Sequence, residues 1–384
     1  MTPFVHQTPS VRVIFGAGSL ARLGDELAAL GVRHALVLST PGQRARAERV
    51  AAQLGARAAG VFAQAAMHVP VDNARAARVE AARLGADSLV ALGGGSTTGL
   101  AKAIALGADD GPPLGGDAPP RGAGAKRVGG STSGLPIVAV PSTYAGSEMT
   151  SIYGLTEGGL KKTGRDERVR PRTVIYDPEL TLGLPWGTSV TSAFNAIAHA
   201  AEGLYAPDAN PLIALMAEEG IHRFYNALAR LHLDGLDNLD ARSDALVGAW
   251  LCGSVLGATT MGLHHKLCHT LGGSFDLPHA EVHTVVLPHA LAYNARAAEG
   301  ALWRVGRALG VNGKGDPLSA PRALQDLARV YGAPTSLAAI GMPADGLERA
   351  ADLAAQTPYP NPRPLDRAAL RALLQRAFDG APPQ

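Results

Sequence analysis

Residues 191–206, TSAFNAIAHAAEGLYA, read as one amphipathic helix that carries Asn195 and His199 four apart, so both lie on one face. A carboxylate one turn before a histidine would be a metal pair; here an amide takes that place. Of the chain's 12 histidines, five fall within HHKLCHTLGGSFDLPHAEVH, residues 264–283. His265 and His269 are again one turn apart, and His279 and His283 follow. This spacing allows His199, His265 and His279 to converge, with Asn195 as a fourth group. Clustered imidazoles can ligate a metal, donate hydrogen bonds to a developing anion, or pass a proton. One histidine pair on a helix is commonly structural; two pairs plus His279 point to chemistry. HAEVH is not the HExxH zinc motif, since its histidines flank a central Glu, and no PCxxC follows to make a deaminase site. Cys268 reads as a small buried thiol.

Two glycine-rich turns could cradle phosphate. GAGSLA (16–21) has the GxGxxA form, but the acid expected about 20 residues on is missing. Ser39 and Thr40 stand there, and a structural turn accounts for Gly16 and Gly18. GGGSTTGLAK (93–102) is the stronger candidate. Gly93, Gly94 and Gly95 let backbone approach an anion, and Ser96 is placed to cap the helix whose first N–H groups point at it. PSTYAGSEMTS (141–151) offers Ser142, Thr143 and Ser147 as further donors to a nucleotide.

These residues need elements to position them. Strand-like VRVIF (11–15), HALVLST (34–40), DSLVALGGG (87–95), LPIVAVPST (135–143) and TVIYDPEL (173–180) alternate with helical 19–31, 42–55, 72–85 and 96–108. That alternation predicts a parallel sheet with crossover helices. Residues 109–134, rich in Gly and Pro, read as a loop. From about Leu184 nine helical segments follow: 188–206, 210–230, 238–263, 264–276, 279–296, 298–309, 318–331, 344–356 and 365–379. The expected architecture is an α/β domain over 1–183 and an all-helical domain over 184–384.

The bulk composition narrows the function. At 384 residues and 46% apolar, the chain can build two cores. A formal net charge of +2, with no basic run interleaved with aromatics, argues against nucleic acid. MTPFVHQTPS lacks the pattern of a secretory signal. The most apolar stretch, 247–263, is short for a membrane span and broken by Gly, Ser and Thr, so it reads as a buried helix. Two cysteines without a CxxC, Cys252 and Cys268, fit free thiols in a reducing cytoplasm.

GGGS at 93–96, PSTYAGSE at 141–148, NAIAH at 195–199 and HKLCH…PH at 265–279, in this order, resemble the iron-containing alcohol dehydrogenase superfamily along nearly the whole chain. The resemblance implies the dehydroquinate synthase-like fold: a Rossmann-like nucleotide-binding α/β domain followed by a helical domain. The departures are specific. Asn195 replaces the superfamily's metal-binding Asp, Gly99 replaces the Asp of GGGSxxDxAK, and the Ser/Thr loop is one residue shorter and carries Tyr144. With GLHHKLCH and KKTGRD (161–166), these variants are similar to the maleylacetate reductase family. That similarity implies reduction of a small dicarboxylate, maleylacetate or a chloro-substituted form, to 3-oxoadipate in aromatic-compound breakdown. NADH or NADPH would be the reductant, in a cytoplasmic homodimer needing no added metal. A metal-dependent alcohol or polyol dehydrogenase of the same superfamily is the alternative.

On this reading His199, His265 and His279 form a donor cluster. His269 or one of the cluster protonates carbon, and Asn195 orients a neighbour or donates its amide. Tyr144, Lys266, Lys161, Lys162 and Arg165 are candidates to hold the carboxylates. The nucleotide would lie against Ser39, Thr40, Gly94, Gly95, Ser96, Ser142, Thr143, Ser147 and Leu182, with Lys162 an alternative cofactor contact.

Overall fold

The structure, a computed structural model, describes residue 4 and residues 6–107, 134–158, 160–311, 315–356 and 358–384. The loop expected over 109–134 lies outside the described residues except for Gly134. The chain packs as two compact units. One comprises Ser10–Ser142 and Ser147–Asp177; the other comprises Pro178–Gln384, Thr143–Gly146 and the described residues before Ser10. The sequence pattern suggests a division after residue 183; by packing, 178–183 go with the helices.

In the α/β unit the strands are β1 (Arg12–Phe15), β2 (Ala35–Leu38), β3 (Ala58–Phe62), β4 (Ser88–Gly93), β5 (Ile137–Pro141), β6 (Ile152–Glu157), β7 (Leu160–Arg165) and β8 (Thr173–Tyr176). Six form a parallel sheet in the order β1-β8-β5-β4-β2-β3. Helices α1 (Leu23–Ala29), α2 (Arg44–Leu54), α3 (Val71–Arg83) and α4 (Gly95–Leu106) make its crossovers. ALVL and SLVALG are buried at every position, as expected of parallel strands covered on both faces. From β2 the chain steps outward to β3; from β4 it proceeds the other way. The direction therefore switches between β2 and β4, and in such sheets the crevice beyond the strands' carboxyl ends binds ligands.

Two parts of this unit escaped the sequence pattern. β3, AAGVF, is made mostly of Ala and Gly, weak strand formers. KKTGRD suggested basic residues around a turn; instead residues 161–165 run along β7, antiparallel to β6, with Leu155 opposite Lys162. The turn falls earlier, at Gly158, whose φ of 56° suits glycine.

The helical unit contains α5 (Trp186–Gly203), α6 (Pro211–Asp234), α7 (Leu239–Ala258), α8 (Leu263–Phe275), α9 (His279–Asn294), α10 (Glu299–Ala308), α11 (Ser319–Val330), α12 (Gly346–Gln356) and α13 (Arg367–Asp379). α5 packs against α6, α7 and α9, and α8 packs against α9 and α12. On α8 an apolar stripe of Leu263, Leu267 and Leu271 enters a core shared with Val282 and Val286 of α9. That docking fixes the rotation of α8 and so the direction of its histidines. The apolar stretch 247–263 contains the buried Ala249, Cys252 and Val255 of α7. Among the described residues no single helix is long and apolar enough to cross a membrane.

Candidate active site

Three helices bring the histidines together. Asn195 and His199 lie on α5, His264, His265 and His269 on α8, and His279 and His283 on α9. The His199 and His265 rings stack at 5.1 Å and 30°. His283 lies edge-on to His279 at 4.5 Å, to His264 at 4.8 Å and to His265 at 5.2 Å. His269 is edge-on to His265 at 6.2 Å. His279 thus reaches the group through His283, a residue absent from the expected set. Four atoms here are buried without a hydrogen-bond partner: Asn195 Oδ1, His199 Nδ1, His265 Nε2 and His283 Nε2. Each buried unpaired polar atom costs about 1–3 kcal/mol, and such a concentration marks a place built for a polar ligand. Burial, reinforced by His265, His264 and His269, holds His199 well below the ordinary histidine range.

Glu202, unnoticed in the sequence, organises the cluster. It sits one turn after His199 on α5, fully buried. Its carboxylate accepts from His265 Nδ1 at 2.6 Å and from the backbone N–H groups of Gly262, His264 and His265 at 3.1, 2.8 and 3.3 Å. A carboxylate from one helix therefore covers the amino end of another, where N–H groups lack intrahelical acceptors. Burial alone would push its carboxyl up; the bond and charge of His265 and the backbone donors outweigh that and hold it below the usual range. Because Nδ1 of His265 donates to Glu202, Nε2 is left to face a ligand. The available signal was a lone acid at i+3 from His199 in a helix with no other acid or base besides that histidine.

In the α/β unit, three expected segments meet at the carboxyl ends of neighbouring strands. Ser39 and Thr40 follow β2, Gly93–Ser96 ends β4 and opens α4, and Ser142 follows β5. Leu38 pairs with Ala91 and Gly93 with Pro141, and Ser142 N–H donates to Gly93 O at 3.1 Å. Ser96 does not cap α4: Gly94 is its N-cap, no side chain caps it, and Ser96 lies within the first turn. The free N–H groups of that turn face the switch point, as an anion site requires. Gly93 has φ 151°, and a Cβ there would come 2.5 Å from Thr97 Oγ1. Thr97 Oγ1 and Ser147 Oγ are buried and unpartnered. In the GAGSLA turn, by contrast, Asp177 accepts from Gly18 N–H at 3.1 Å and Leu20 N–H at 2.9 Å. The protein's own carboxylate fills the anion position there.

Lys102, at the end of the GGGSTTGLAK motif, is buried and donates to Ser147 O, Thr150 Oγ1 and Ile152 O at 2.7, 2.9 and 2.8 Å. It fixes the segment that carries Ser147. Other expected residues have varied surroundings. Tyr144 is fully buried, its hydroxyl accepting from Arg242 at 2.9 Å and its ring against Phe224. This places it in the core of the helical unit, where it cannot hold a substrate carboxylate. Thr143 lies beside it, half-buried, and Leu182 is half-buried in the same unit. Lys162 and Arg165 are exposed on β7, and the side chain of Lys161 lies outside the described residues. Lys266 is half-buried on α8, one residue after His265.

The sequence profile of the iron-containing alcohol dehydrogenases matches residues 9–178, and that of the family's C-terminal region matches 189–378. The chain is 60% identical to the maleylacetate reductase of Burkholderia cepacia across the full length of both. It is 54% identical to that of Pseudomonas sp. strain P51, over 99% of each chain. The crystal structure of the Agrobacterium tumefaciens maleylacetate reductase superposes with a TM-score of 0.86, at 48% identity and full coverage of both chains. The chain belongs to the maleylacetate reductase family of iron-containing alcohol dehydrogenases. Membership makes it an NAD(P)H-dependent oxidoreductase, with the α/β-plus-helical architecture that its sequence predicts.

The maleylacetate reductases share a superfamily named for iron, so the residues must be tested against that ion. The corresponding positions are Asn195, His199, His265 and His279. They offer no anionic ligand to offset the ion's charge, so three neutral imidazoles and an amide oxygen would have to hold it alone. Among the described residues, the trio whose ligand atoms lie within 4.8 Å of one another is His264, Cys268 and His283, not His199, His265 and His279. As placed, the four residues do not make an iron site.

Proposed function

We propose that this chain reduces the conjugated C=C bond of maleylacetate with NADH or NADPH, giving 3-oxoadipate without a metal. The observation that carries the reading is 60% identity over full length to a maleylacetate reductase. The strand ends at the β2–β4 switch and the first-turn N–H groups of α4 would hold the phosphates of a nicotinamide nucleotide, which would supply the hydride. Hydride adds to the alkene carbon distal to the ketone, and charge moves onto the ketone oxygen as an enolate. A proton then reaches the other alkene carbon. Both events need donors in a dry site. The buried imidazoles supply them, where the superfamily's alcohol dehydrogenases are named for iron.

His265 is the proton donor. The Glu202 carboxylate orients its ring and offsets the positive charge while Nε2 carries a proton, as in a carboxylate–histidine couple of a hydrolase. His199, His279 and Asn195 complete the polar wall around the substrate, and Lys266 supplies a cation for one carboxylate. The buried free thiols Cys252 and Cys268 suit a reducing compartment, and the family resemblance carries the expectation of a cytoplasmic homodimer. The deciding assay follows NADH absorbance with maleylacetate, with and without EDTA. Oxidation of NADH unaffected by EDTA is expected. No oxidation with maleylacetate, together with turnover of a simple aldehyde once iron is added, would make this a metal-dependent alcohol dehydrogenase instead.

A further inference from the structure

A ketone oxygen that turns anionic needs a hydrogen-bond donor that keeps its own proton. Building on the reaction proposed above, we infer that His283 is that donor: a neutral imidazole presenting Nε2–H to the substrate oxygen, its tautomer fixed by His264.

His283 lies one turn into α9 from His279 and is 1% exposed. Its two nitrogens have different surroundings. Nδ1 shares a 2.9 Å hydrogen bond with His264 Nε2. Nε2 is buried without a partner, as are His265 Nε2, His199 Nδ1 and Asn195 Oδ1. Among the described residues the rings packed against it are imidazoles: His279, His264, His265 and His199, the last at 6.2 Å. The 2.9 Å bond between facing ring nitrogens requires one of them to lack a proton. Two neutral imidazoles joined by one hydrogen bond share a single proton between them. When His264 supplies it from Nε2, Nδ1 of His283 accepts and the remaining proton of His283 sits on Nε2. The opposite tautomer would aim a lone pair at a substrate with two carboxylates and a developing oxyanion. The ligand's charge therefore selects the donor form.

His265 differs in what stands behind it. A carboxylate backs its Nδ1, whereas an uncharged ring backs that of His283. Unlike partners divide the work: one imidazole gives up a proton and the other holds an oxygen. His264, Cys268 and His283 also place three ligand atoms within 4.8 Å of one another. The His264–His283 bond already uses both facing nitrogens, and Cys268 Sγ lies 3.5 Å from one ring nitrogen of His264 and 4.0 Å from the other, beside the ring. That arrangement is a hydrogen-bonded support for His283.

The test compares His283→Asn with His283→Gln. The Asn amide reaches the Nδ1 position and keeps the bond to His264 but has nothing at Nε2; Gln places an N–H near Nε2. His283→Asn should lower kcat/KM for maleylacetate by about 100-fold or more, in line with loss of an oxyanion donor, while NADH affinity measured by fluorescence stays within about twofold. His283→Gln should retain activity within about tenfold of the unaltered protein. Full activity in a folded His283→Asn protein overturns the inference, and so does a folded His283→Gln protein as inactive as the Asn variant. If neither variant folds, nitrogen NMR of histidine-labelled unaltered protein decides. A protonated, neutral Nε2 that shifts on addition of 3-oxoadipate supports the assignment, and a bare Nε2 overturns it. Failure of the unaltered protein to oxidise NADH with maleylacetate would instead refute the reaction itself.

Discussion

Glu202 holds a histidine ring and the amino end of α8 through one buried carboxylate. Glu202→Gln keeps the shape but gives the amide a donor where only acceptors suit. Turnover is expected to fall by about 100-fold or more, since the comparable acid-to-amide change in a hydrolase triad costs about 10⁴ in turnover. NADH affinity should hold; parallel loss of both would mean that the residue only supports the fold. Asn195 gives the complementary prediction. Asn195→Asp adds an anion beside His199, and divalent-metal affinity should rise by about tenfold or more, read from zinc retained after dialysis. Unchanged metal content would mean that residue 195 does not face the former ligand position. At this scale the sequence made the histidines visible but not their partners. Glu202 looks like one acid on an amphipathic helix, and its role arises only when α8 starts against it. His283 was hidden in HAEVH, which fails as a zinc motif and gives no other signal.

At the scale of elements, α4 and the segment after β5 depend on Lys102. Burial, opposed by the charge of Glu148, brings its amine down to about 7, against roughly 10.4 in an unfolded chain. Between those values the unfolded chain binds the extra proton, so stability rises with pH across this window and is lost as pH falls toward 7. The slope for one proton approaches about 1.4 kcal/mol per pH unit. Lys102→Met removes the slope, so the unaltered protein gains stability relative to the variant as pH rises through this window. Urea midpoints between roughly pH 7 and 10 for both proteins test this; parallel curves refute it. Among the described residues, the nine helices of the second half were legible because most carry an apolar stripe of helical period, while α7 and α9 are long and apolar nearly all round. β3 and the β6–β7 hairpin were not: the first is Ala-Gly rich, and the second alternates polar side chains whose pairing only the hairpin turn specifies.

For the whole molecule, a parallel sheet followed by helices was readable from alternation alone, whereas the packing boundary was not. Tyr144 lies far from α7 in sequence, and only folding joins its hydroxyl to Arg242. If the nucleotide is the resident ligand and no cation is, NADH should raise the unfolding temperature through mass action. Exhaustive EDTA treatment should leave it within about 1 °C, since no binding energy would be withdrawn. A drop of several degrees on chelation, reversed by iron or zinc, would refute the metal-free reading.

The loop 143–146 returns to the helices between two stretches that belong with the sheet, and the described residues before Ser10 also pack with the helices. The polypeptide thus changes unit four times: after Pro9, Ser142, Gly146 and Asp177. A single cut anywhere in the chain therefore divides residues that pack in one unit. A piece ending near residue 180 would take Tyr144 with it and leave Arg242 facing an empty, buried hole.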